Sequence, residues 1–459
     1  MQFNKKSFFL FVALLSSYHI NHATVSQSLF STFWDWKIAC TKCINAPRSN
    51  TPLSKKELLN EVNQFCNAHN SGPLAAKENW VHIGIDHNRP ELNFFTETVF
   101  EPYVQKIEVM PGTQIAFHGD VHGDITSFNA FIEFLATQGY LDQHDPFKII
   151  DPNFKIIMLG DYTDRGQWGA EVMYAVMRMK RLNPEQFFMV RGNHEDCPIN
   201  NAYGFTAELQ RKFNDSSMIQ SVSRIYNYLP VALYVCSGAE LHKDALLCCH
   251  GGLELGFAHT QKLLDAPGAN RYVLVDILAR KTRCSHLDNN YKPCVNHLPL
   301  SDIVLTSPAG DACPPLGFMW NDFDFNPCSD QTKKIEYISG RGFMFPEQIT
   351  KYLLRYDSTK NCTICGIFRA HQHNAVTMPH ILNKNGNHDA ADTGVAKLWA
   401  PYGMELIAGA LWDGIVCTFC VSPNNSFGQT FGYNFDAFGI LTTAEKYKDW
   451  HLQIHRIFP

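Results

Sequence analysis

Five short polar motifs, each directly after an apolar run, constrain the fold of this chain more than any other feature. Such a succession is typical of α/β proteins, which assemble their sites where buried strands reach the edge of a sheet. The sequence therefore predicts an α/β fold in which five loops meet at one site. In chain order the motifs are Gly119-Asp120-Val121-His122-Gly123, Gly160-Asp161-Tyr162-Thr163-Asp164-Arg165-Gly166, Gly192-Asn193-His194-Glu195, His250-Gly251-Gly252 and Arg369-Ala370-His371-Gln372.

The segments around the motifs carry the periodicity of helices. Apolar residues within 128–135 and 172–177 recur at helical spacing, and Pro346 opens a further apolar helical pattern. Upstream, Ser54 and Glu57 form a capping box that predicts the start of another helix. The motif-bearing part of the chain is therefore expected to consist of strand–motif–helix units.

Six motif residues offer carboxylate, imidazole and amide groups, and none of the six offers a thiolate. This donor set suits Mn, Fe or Zn better than calcium or a soft metal. Six ligands exceed what one ion with open positions needs, whereas a carboxylate bridging two ions would use them all in a centre suited to phosphoryl transfer. Taken singly, each could instead be a satisfied polar group at a strand end. The six are Asp120, His122, Asp161, Asn193, His250 and His371.

The first residues have the pattern of a secretory signal peptide. Lys5 and Lys6 precede an apolar run at 8–15 and a small residue at Ala23, and the run is too short to span a bilayer. We expect cleavage after about residue 23 and a secreted or periplasmic protein without a transmembrane segment. A buried first strand in a cytoplasmic protein is the alternative.

Length and charge set broad limits. The chain has 459 residues, of which 45% are hydrophobic, enough for two or three domains. We predict a signal peptide at 1–23, an N-terminal extension of unknown role at 24–106 and the motif-bearing domain at 107–459, with insertions near 280–315 and 375–400. A net charge of −5 gives no case for binding nucleic acid.

Fifteen cysteines leave several possibilities open. Three Cys-x-x-Cys pairs (Cys40/Cys43, Cys362/Cys365 and Cys417/Cys420) offer the spacing of a structural zinc site. The last two pairs lie in strand-like runs, whose alternating residues point to opposite faces, so we favour buried thiols. In a secreted protein, disulfides are most plausible within one loop-rich region. Its cysteines are Cys284, Cys294, Cys313 and Cys328.

Together the motifs resemble the phosphoprotein phosphatase (PPP) family of serine/threonine phosphatases, within the calcineurin-like metallophosphoesterase superfamily. The likeness extends to residues 187–195, 229–232, 248–252 and 340–343, and it covers about 110–373 of the sequence well. It implies the calcineurin-like fold: a central β-sandwich flanked by helices, with a dimetal site at the strand ends.

The resemblance also implies a role for each site residue. Arg165 and Arg341 would clamp the phosphate oxygens, with Asn193 as a further contact. His194 would protonate the leaving alkoxide, with Asp164 orienting its imidazole. The ligands of two divalent ions would be Asp120, His122 and Asp161 for one ion and, with Asp161 as the bridge, Asn193, His250 and His371 for the other.

The activity implied is hydrolysis of phosphoserine or phosphothreonine in a phosphorylated protein by a hydroxide that bridges the two ions, without a phosphoenzyme. Manganese would serve in vitro, and iron or zinc natively. Two alternatives use the same centre: a phosphotyrosine phosphatase and a nucleotide polyphosphate hydrolase. A third is a non-catalytic binding protein. Since phosphoproteins are scarce outside cells, export would mean delivery into another cell.

Three residues depart from the family pattern. Thr163 stands where valine is usual, and we expect it to alter packing behind the metals. Asp124 replaces glutamine, and we expect a solvated loop residue, with a hydrogen-bonding role beside the metals as the alternative. Asn425 stands where a tyrosine would contribute to the phosphate pocket, which weakens any inference about fine substrate preference.

Overall fold

The computed structural model of the chain describes residues 30–46, 51–72, 77–81, 102–239, 241–255, 257, 259–268, 270–274, 304–305, 316–324, 334–373, 393–401, 404, 407–419 and 433–459. The predicted signal peptide, the four cysteines proposed for disulfides, most of both insertions and Asn425 lie outside these residues. Within them, no helix has the length and hydrophobicity needed to cross a membrane.

Sixteen strands in the described residues form three sheets, and the apolar runs before the motifs are among them, as predicted. The strands are β1 (Tyr103–Val109), β2 (Gln114–His118), β3 (Phe154–Met158), β4 (Phe187–Met189), β5 (Ala232–Ala239), β6 (His242–Cys249), β7 (Arg271–Val273), β8 (Val304–Leu305), β9 (Asp322–Phe323), β10 (Lys334–Ile338), β11 (Gly342–Phe345), β12 (Cys362–Arg369), β13 (Val395–Leu398), β14 (Ile415–Phe419), β15 (Asp436–Thr442) and β16 (His451–Ile457).

Two large sheets pack face to face. One has seven strands in the order β13-β14-β12-β6-β5-β1-β7, and the other has five in the order β16-β15-β2-β3-β4. Phe117 of the five-stranded sheet meets Phe368 of the seven-stranded sheet edge to face, with ring centroids 4.9 Å apart, inside one apolar core. A smaller sheet has the order β8-β10-β11-β9. The expected α/β fold with a central β-sandwich is confirmed.

Helices cover the sheets, and several begin at the predicted signals. Ser54 accepts a hydrogen bond from the Glu57 amide and Glu57 bonds back to the Ser54 amide, so the capping box is confirmed. The helices are α1 (Phe33–Asn45), α2 (Lys55–Asn70), α3 (Ile125–Thr137), α4 (Gly169–Leu182), α5 (Cys197–Tyr203), α6 (Phe205–Phe213), α7 (Met218–Val222), α8 (Thr260–Asp265), α9 (Gly317–Trp320) and α10 (Glu347–Asp357).

Residues Thr32–Pro459 form one compact unit that includes the helices of the predicted extension. Trp36 of α1 is fully buried, with its ring centroid 4.9 Å from that of Tyr174 in α4. Arg181 at the end of α4 donates two hydrogen bonds, of 2.8 and 3.1 Å, to Glu61 of α2. Helices α1 and α2 therefore pack on the motif-bearing part of the chain.

The described cysteines are free thiols. Cys362 and Cys365 of β12 and Cys417 of β14 are buried, and Cys362 Sγ lies 3.9 Å from Cys236 Sγ. No cysteine belongs to a candidate metal-binding group in the described part of the chain. The interpretation as buried thiols therefore fits these residues better than a zinc site.

Candidate metal centre

All five motifs begin where strands of the two large sheets end. The parallel strands β2, β3 and β4 lead into the first three motifs, so the three loops leave the sheet at the same edge. The parallel strands β6 and β12 bring the fourth and fifth motifs to the facing edge of the other sheet. The sandwich thus gathers loops that are far apart in sequence into one buried cluster.

The backbone of this cluster is held in an uncommon conformation. Five of the seven non-glycine residues with positive φ in the described chain belong to the motifs. Such residues are rare and are retained chiefly where the surrounding structure enforces them, often at functional sites. The five, with their φ angles, are His122 (46°), Asp161 (56°), Asp164 (68°), Arg165 (65°) and His371 (67°).

Gly192 allows the second and third motifs to interlock. A Cβ at this position would lie 2.3 Å from Asp161 Oδ1 and 2.7 Å from Glu195 Oε2. Glu195 accepts hydrogen bonds from the amides of Asp161 (2.9 Å), Tyr162 (3.0 Å) and Gly192 (2.8 Å). Burial and the Asp161 charge raise the pKa of Glu195 to about 7. Glu195, which was not among the predicted site residues, therefore fixes the backbone beneath the cluster.

The six residues predicted as metal ligands lie together in the structure. Three overlapping groups of carboxylate oxygens and imidazole nitrogens form, and within each group the ligand atoms lie within 4.8 Å of one another. Asp161 belongs to two of them, the position expected of a bridging carboxylate. The groups are Asp120, His122 and His373; His122, Asp161 and His194; and Asp161, His250 and His371. Asn193 Oδ1 joins the last group, 2.9 Å from His250 Nε2 and 3.1 Å from His371 Nδ1.

Backbone carbonyls fix two of the imidazole rings. His122 Nδ1 donates to the Thr163 carbonyl oxygen at 2.9 Å, and His250 Nδ1 donates to the Leu159 carbonyl oxygen at 2.8 Å. Each Nε2 consequently points into the cluster, where the neutral ring would offer its lone pair to a cation. This arrangement is the usual one for histidines that bind metal through Nε2.

The donor atoms fit divalent cations. Asp161 Oδ2 lies 3.1 Å from His250 Nε2 and 3.4 Å from His122 Nε2, so electron-rich atoms face one another. His371 Nε2 is buried and makes no hydrogen bond to the described residues. Burial lowers the pKa of His250, but the charges of Asp161 and Asp120 outweigh it and raise that pKa to about 8. Cations would satisfy these carboxylates and lone pairs together.

His194 and Asp164, predicted to act together, are in direct contact. His194 Nδ1 lies 2.7 Å from Asp164 Oδ2, and its Nε2 faces the cluster 3.8 Å from Asp161 Oδ2. Asp164 also accepts hydrogen bonds from Asn200 Nδ2 at 2.9 Å and from the Phe205 amide at 2.8 Å. Three donors therefore hold the carboxylate that orients the imidazole.

The two predicted arginines stand at different depths. Arg165 Nη2 donates to His194 Nε2 at 3.0 Å and Nη1 donates to His122 Nε2 at 2.7 Å, so this guanidinium lies within the cluster. Arg341 is 40% exposed and donates to Asp322 Oδ2 at 2.9 and 2.7 Å. Asp322 Oδ1 lies 3.9 Å from His371 Nε2, which places Arg341 at the rim.

His373 is a cluster residue that the sequence analysis missed. Its Nε2 lies 2.8 Å from Asp120 Oδ2 and accepts a hydrogen bond from Arg165 Nη1 at 3.1 Å. The available signal was the spacing His371-Gln372-His373, which can supply two imidazoles to one site. His373 therefore adds a seventh candidate ligand on the side of Asp120 and His122.

Two departures from the family pattern have structural explanations. Asp124 is 2% exposed and caps α3 by accepting hydrogen bonds from the Ser127 amide at 3.0 Å and hydroxyl at 2.7 Å. The expectation of a solvated loop residue is therefore wrong, because this position is the N-cap of a helix. The buried Thr163 hydroxyl accepts a hydrogen bond of 3.3 Å from Asn200 Nδ2 and so joins the network behind His194.

The fold and the cluster together define a metal-dependent phosphoesterase, an α/β sandwich with a carboxylate–imidazole centre at its strand ends. Residues 113–375 match the calcineurin-like phosphoesterase family. Because this match spans more than half of the chain, the protein belongs to the calcineurin-like phosphoesterase family.

Several solved structures resemble the chain at low sequence identity. A protein serine/threonine phosphatase from Saccharomyces cerevisiae, with similarity to human phosphatase PP5, is 18% identical with a TM-score of 0.45, over 92% of this chain and 96% of that one. A cold-active protein-tyrosine phosphatase from the psychrophile Shewanella sp. is 9% identical with a TM-score of 0.36, over 76% and 83%. A metallophosphoesterase from Sphaerobacter thermophilus is 12% identical with a TM-score of 0.31, over 75% and 88%.

Proposed function

We propose that the protein is a metal-dependent protein phosphatase that hydrolyses phosphoserine and phosphothreonine. The observation that carries the proposal is the His194–Asp164 pair at 2.7 Å, whose second imidazole nitrogen, Nε2, faces the metal-ligand cluster and contacts Arg165. A phosphoesterase needs a charge-neutralising centre, a phosphate clamp and a proton donor for the leaving oxygen. The three are adjacent here.

Two bound divalent ions would neutralise the phosphoryl oxygens and supply a nucleophilic water at neutral pH. The residues placed to hold them are Asp120, His122, Asp161, Asn193, His250 and His371, with His373 beside the first two. Manganese is the ion proposed for activity in vitro, and iron or zinc for the native protein.

Side chains of the protein would bind the phosphate oxygens and protonate the leaving group. The Arg165 guanidinium donates from within the cluster, and its planar fork suits two phosphate oxygens. Arg341, at the rim and 40% exposed, would exchange its two hydrogen bonds to Asp322 for bonds to a bound phosphate. Protonated at Nε2, the His194 imidazole would deliver that proton to the leaving alkoxide while Asp164 holds the ring through Nδ1.

Preference for phosphoserine and phosphothreonine rests on the likeness to the PPP family across all five motifs. The two enzymatic alternatives, hydrolysis of phosphotyrosine and of a nucleotide polyphosphate, use the same centre and differ only in the group that approaches it. A comparison of hydrolysis rates among these substrates therefore tests the proposal directly.

The test is hydrolysis of peptides that share one sequence and carry phosphoserine, phosphothreonine or phosphotyrosine, with diadenosine tetraphosphate as a fourth substrate. The purified full-length chain would be assayed with Mn²⁺. Controls are His194→Ala, which removes the proton donor, and Asp120→Ala, which removes a ligand.

We expect Mn²⁺-dependent release of phosphate from the serine and threonine peptides, with kcat/KM at least about tenfold above that for the other two substrates, a margin typical of substrate discrimination by binding contacts. Both variants should lose this activity. Faster turnover of the tyrosine peptide or the dinucleotide would show that the proposed substrate is wrong, while the proposed metal centre would still stand. Turnover that survives Asp120→Ala would refute the centre.

A further inference from the structure

A cavity lined by apolar and cationic side chains lies away from the metal-ligand cluster, where α2 meets the end of α4, β1, β4 and β7. Its volume is about 70 Å³. One ordered water needs only about 10–15 Å³ on this measure, so the cavity has room for several waters or one small molecule. None of the candidate metal ligands lines it.

Aromatic and proline rings form much of its wall. Phe65 comes from α2, Tyr103 from β1 and Phe188 from β4, while Tyr228 and Pro230 belong to the segment before β5. The hydroxyl groups of the two tyrosines already make hydrogen bonds within the protein. The Tyr103 hydroxyl donates to the Tyr228 carbonyl oxygen at 2.7 Å, and the Tyr228 hydroxyl donates to Asn70 Oδ1 at 3.2 Å. The wall is therefore fixed and largely apolar.

Three cationic side chains, from two elements, line the cavity. Lys180 and Arg181 lie on α4 and Arg271 on β7, whereas Glu185 is the one carboxylate among the described lining residues. Arg181 is already paired with Glu61 at 2.8 Å. Lys180 Nζ donates to the Pro184 carbonyl oxygen at 2.6 Å and lies 4.8 Å from the Phe188 ring centroid. An ammonium has further donors beyond this bond.

The titration of neighbouring groups agrees with a positive potential in the cavity. Burial lowers the pKa of Lys180 to about 7, and the Arg271 charge lowers it further although Glu185 opposes this. Burial also lowers the pKa of Arg271. His69 of α2 has its pKa lowered to about 3 by burial and then by the charge of Lys180. A nearby anion would relieve all three effects at once.

We propose that this cavity is a binding site for a small organic anion, whose oxyanion contacts Lys180 and Arg271 and whose aromatic or apolar body packs against Phe65, Tyr103 and Tyr228. Charge-assisted hydrogen bonds from a lysine and an arginine are the usual way to hold a carboxylate or a phosphate. Rings that wall a cavity supply contact area to the rest of such a ligand.

The site would also give the N-terminal helices a function. Phe65, Ala68 and His69 of α2 form one wall, so the cavity exists only while α2 is packed on the remainder of the unit. Strand β4, which contributes Phe188 and Met189, continues directly into the motif that carries Asn193 and His194. The ligand site and the metal-ligand cluster are therefore separate but share one strand.

The test is calorimetric titration of the Mn²⁺-loaded full-length chain with benzoate, phenylphosphonate and the neutral benzyl alcohol. Variants would be Lys180→Met, which keeps the length of the side chain without its charge, and Lys180→Arg, which keeps the charge. Arg271→Gln provides a second, independent removal of charge. Arg165→Met reports binding at the metal-ligand cluster, and thermal unfolding verifies that each variant is folded.

We expect one benzoate site per chain, weakened about tenfold or more by Lys180→Met and by Arg271→Gln, since each removes a charge-assisted hydrogen bond. Binding should persist in Lys180→Arg and Arg165→Met, and benzyl alcohol should bind far more weakly. Phenylphosphonate should show a second site that Arg165→Met weakens. If benzoate does not bind, binds as weakly as the alcohol, or loses affinity in Arg165→Met alone, the proposal fails.

Discussion

Two buried histidine–aspartate pairs in this molecule look alike and differ in what they can do. His194 Nδ1 lies 2.7 Å from Asp164 Oδ2, and His118 Nε2 lies 2.8 Å from Asp436 Oδ2. All four side chains are at most 1% exposed. The difference lies in the second nitrogen of each ring.

Both ring nitrogens of His118 already have hydrogen-bond partners within the protein. Its Nδ1 lies 3.2 Å from the Gly119 carbonyl oxygen, which can only accept, so Nδ1 is a donor, and its Nε2 is already bonded to Asp436. Burial lowers the pKa of His118, but the charge of Asp436 outweighs it and raises that pKa. In contrast, His194 Nε2 faces Arg165 and the carboxylate cluster. A buried histidine beside an aspartate is therefore a candidate acid only if its other nitrogen faces a substrate position.

The largest effect should come from His194→Ala. Because we propose that His194 is the proton donor, its removal should lower kcat by about 10²–10⁴-fold while changing KM little, since general acid catalysis acts in the transition state. Steady-state kinetics on the best phosphopeptide measures this. The matched change at the other pair, His118→Gln, should leave kcat of the folded protein nearly unaltered. Equal losses of kcat in both variants would contradict the distinction between the pairs.

Asp436→Asn should destabilise the fold rather than slow the reaction. It leaves the buried His118 without a counter-charge, and breaking a buried ion pair in this way typically costs about 3–5 kcal/mol of unfolding free energy. The midpoint of urea denaturation should fall accordingly, with kcat unchanged at low temperature. A stable variant with reduced kcat would instead mean that this pair acts on the site.

Asp164→Asn should have a smaller effect on kcat than removing the imidazole. Partners that orient a functional histidine are usually worth about 10–100-fold. The Asn200 and Phe205 donors would still hold the side chain at position 164, so the ring keeps part of its orientation. The quantity to measure is the kcat of Asp164→Asn divided by the kcat of His194→Ala. A ratio near one would show that orientation, and not the imidazole alone, governs the step.

The smallest expected effect is a gradual change of Mn²⁺ affinity with pH, which depends on His250. The Nδ1 of this ring donates to a carbonyl oxygen, while its Nε2 faces carboxylates. Asp161 and Asp120 raise its pKa to about 8, against the effect of burial. Below that pH the metal-free ring is protonated, so a binding ion must displace the proton, and Mn²⁺ affinity should fall about tenfold per pH unit. Above pH 8 the affinity should level off.

Calorimetric Mn²⁺ titrations from pH 6 to pH 9 measure this profile. The control is His250→Asn, which keeps a polar ligand without a titrating ring and should remove this part of the pH dependence. The carboxylates do not interfere, because the pKa values of Asp120 and Asp161 are lowered beneath their usual range. A flat profile in the unaltered protein would show that His250 is not a ligand.

The metal-ligand cluster could be predicted because its residues lie in short contiguous loops. A motif such as Gly160–Gly166 carries its ligand, its orienting aspartate and its arginine within a few residues, so local sequence contains most of the local geometry. The strand–motif–helix units and the α/β class follow from the same pattern. His373 was not predicted, because it lies one residue beyond the fifth motif, which ends at Gln372.

The remainder depends on contacts between distant residues. His118 and Asp436 are 318 residues apart, and neither lies in a recognisable pattern with the other. Helix α2 was predicted from Ser54 and Glu57, but its packing against α4 through Glu61 and Arg181 was not, because an exposed ion pair and a buried one look the same in sequence. The order of the seven-stranded sheet is likewise set by non-local pairing, which periodicity cannot encode.

The left-handed backbone at the metal-ligand cluster limits how the ion preference of this enzyme can be redesigned. The backbone φ angle is positive at positions 122, 161 and 371. A replacement ligand at any of them must therefore be a residue that tolerates this backbone conformation. Asparagine, aspartate and histidine tolerate that region best among non-glycine residues, whereas bulky or β-branched residues do not. Exchanges among oxygen and imidazole donors are therefore accessible to a designer. A change toward a softer ion would require rebuilding the loops themselves.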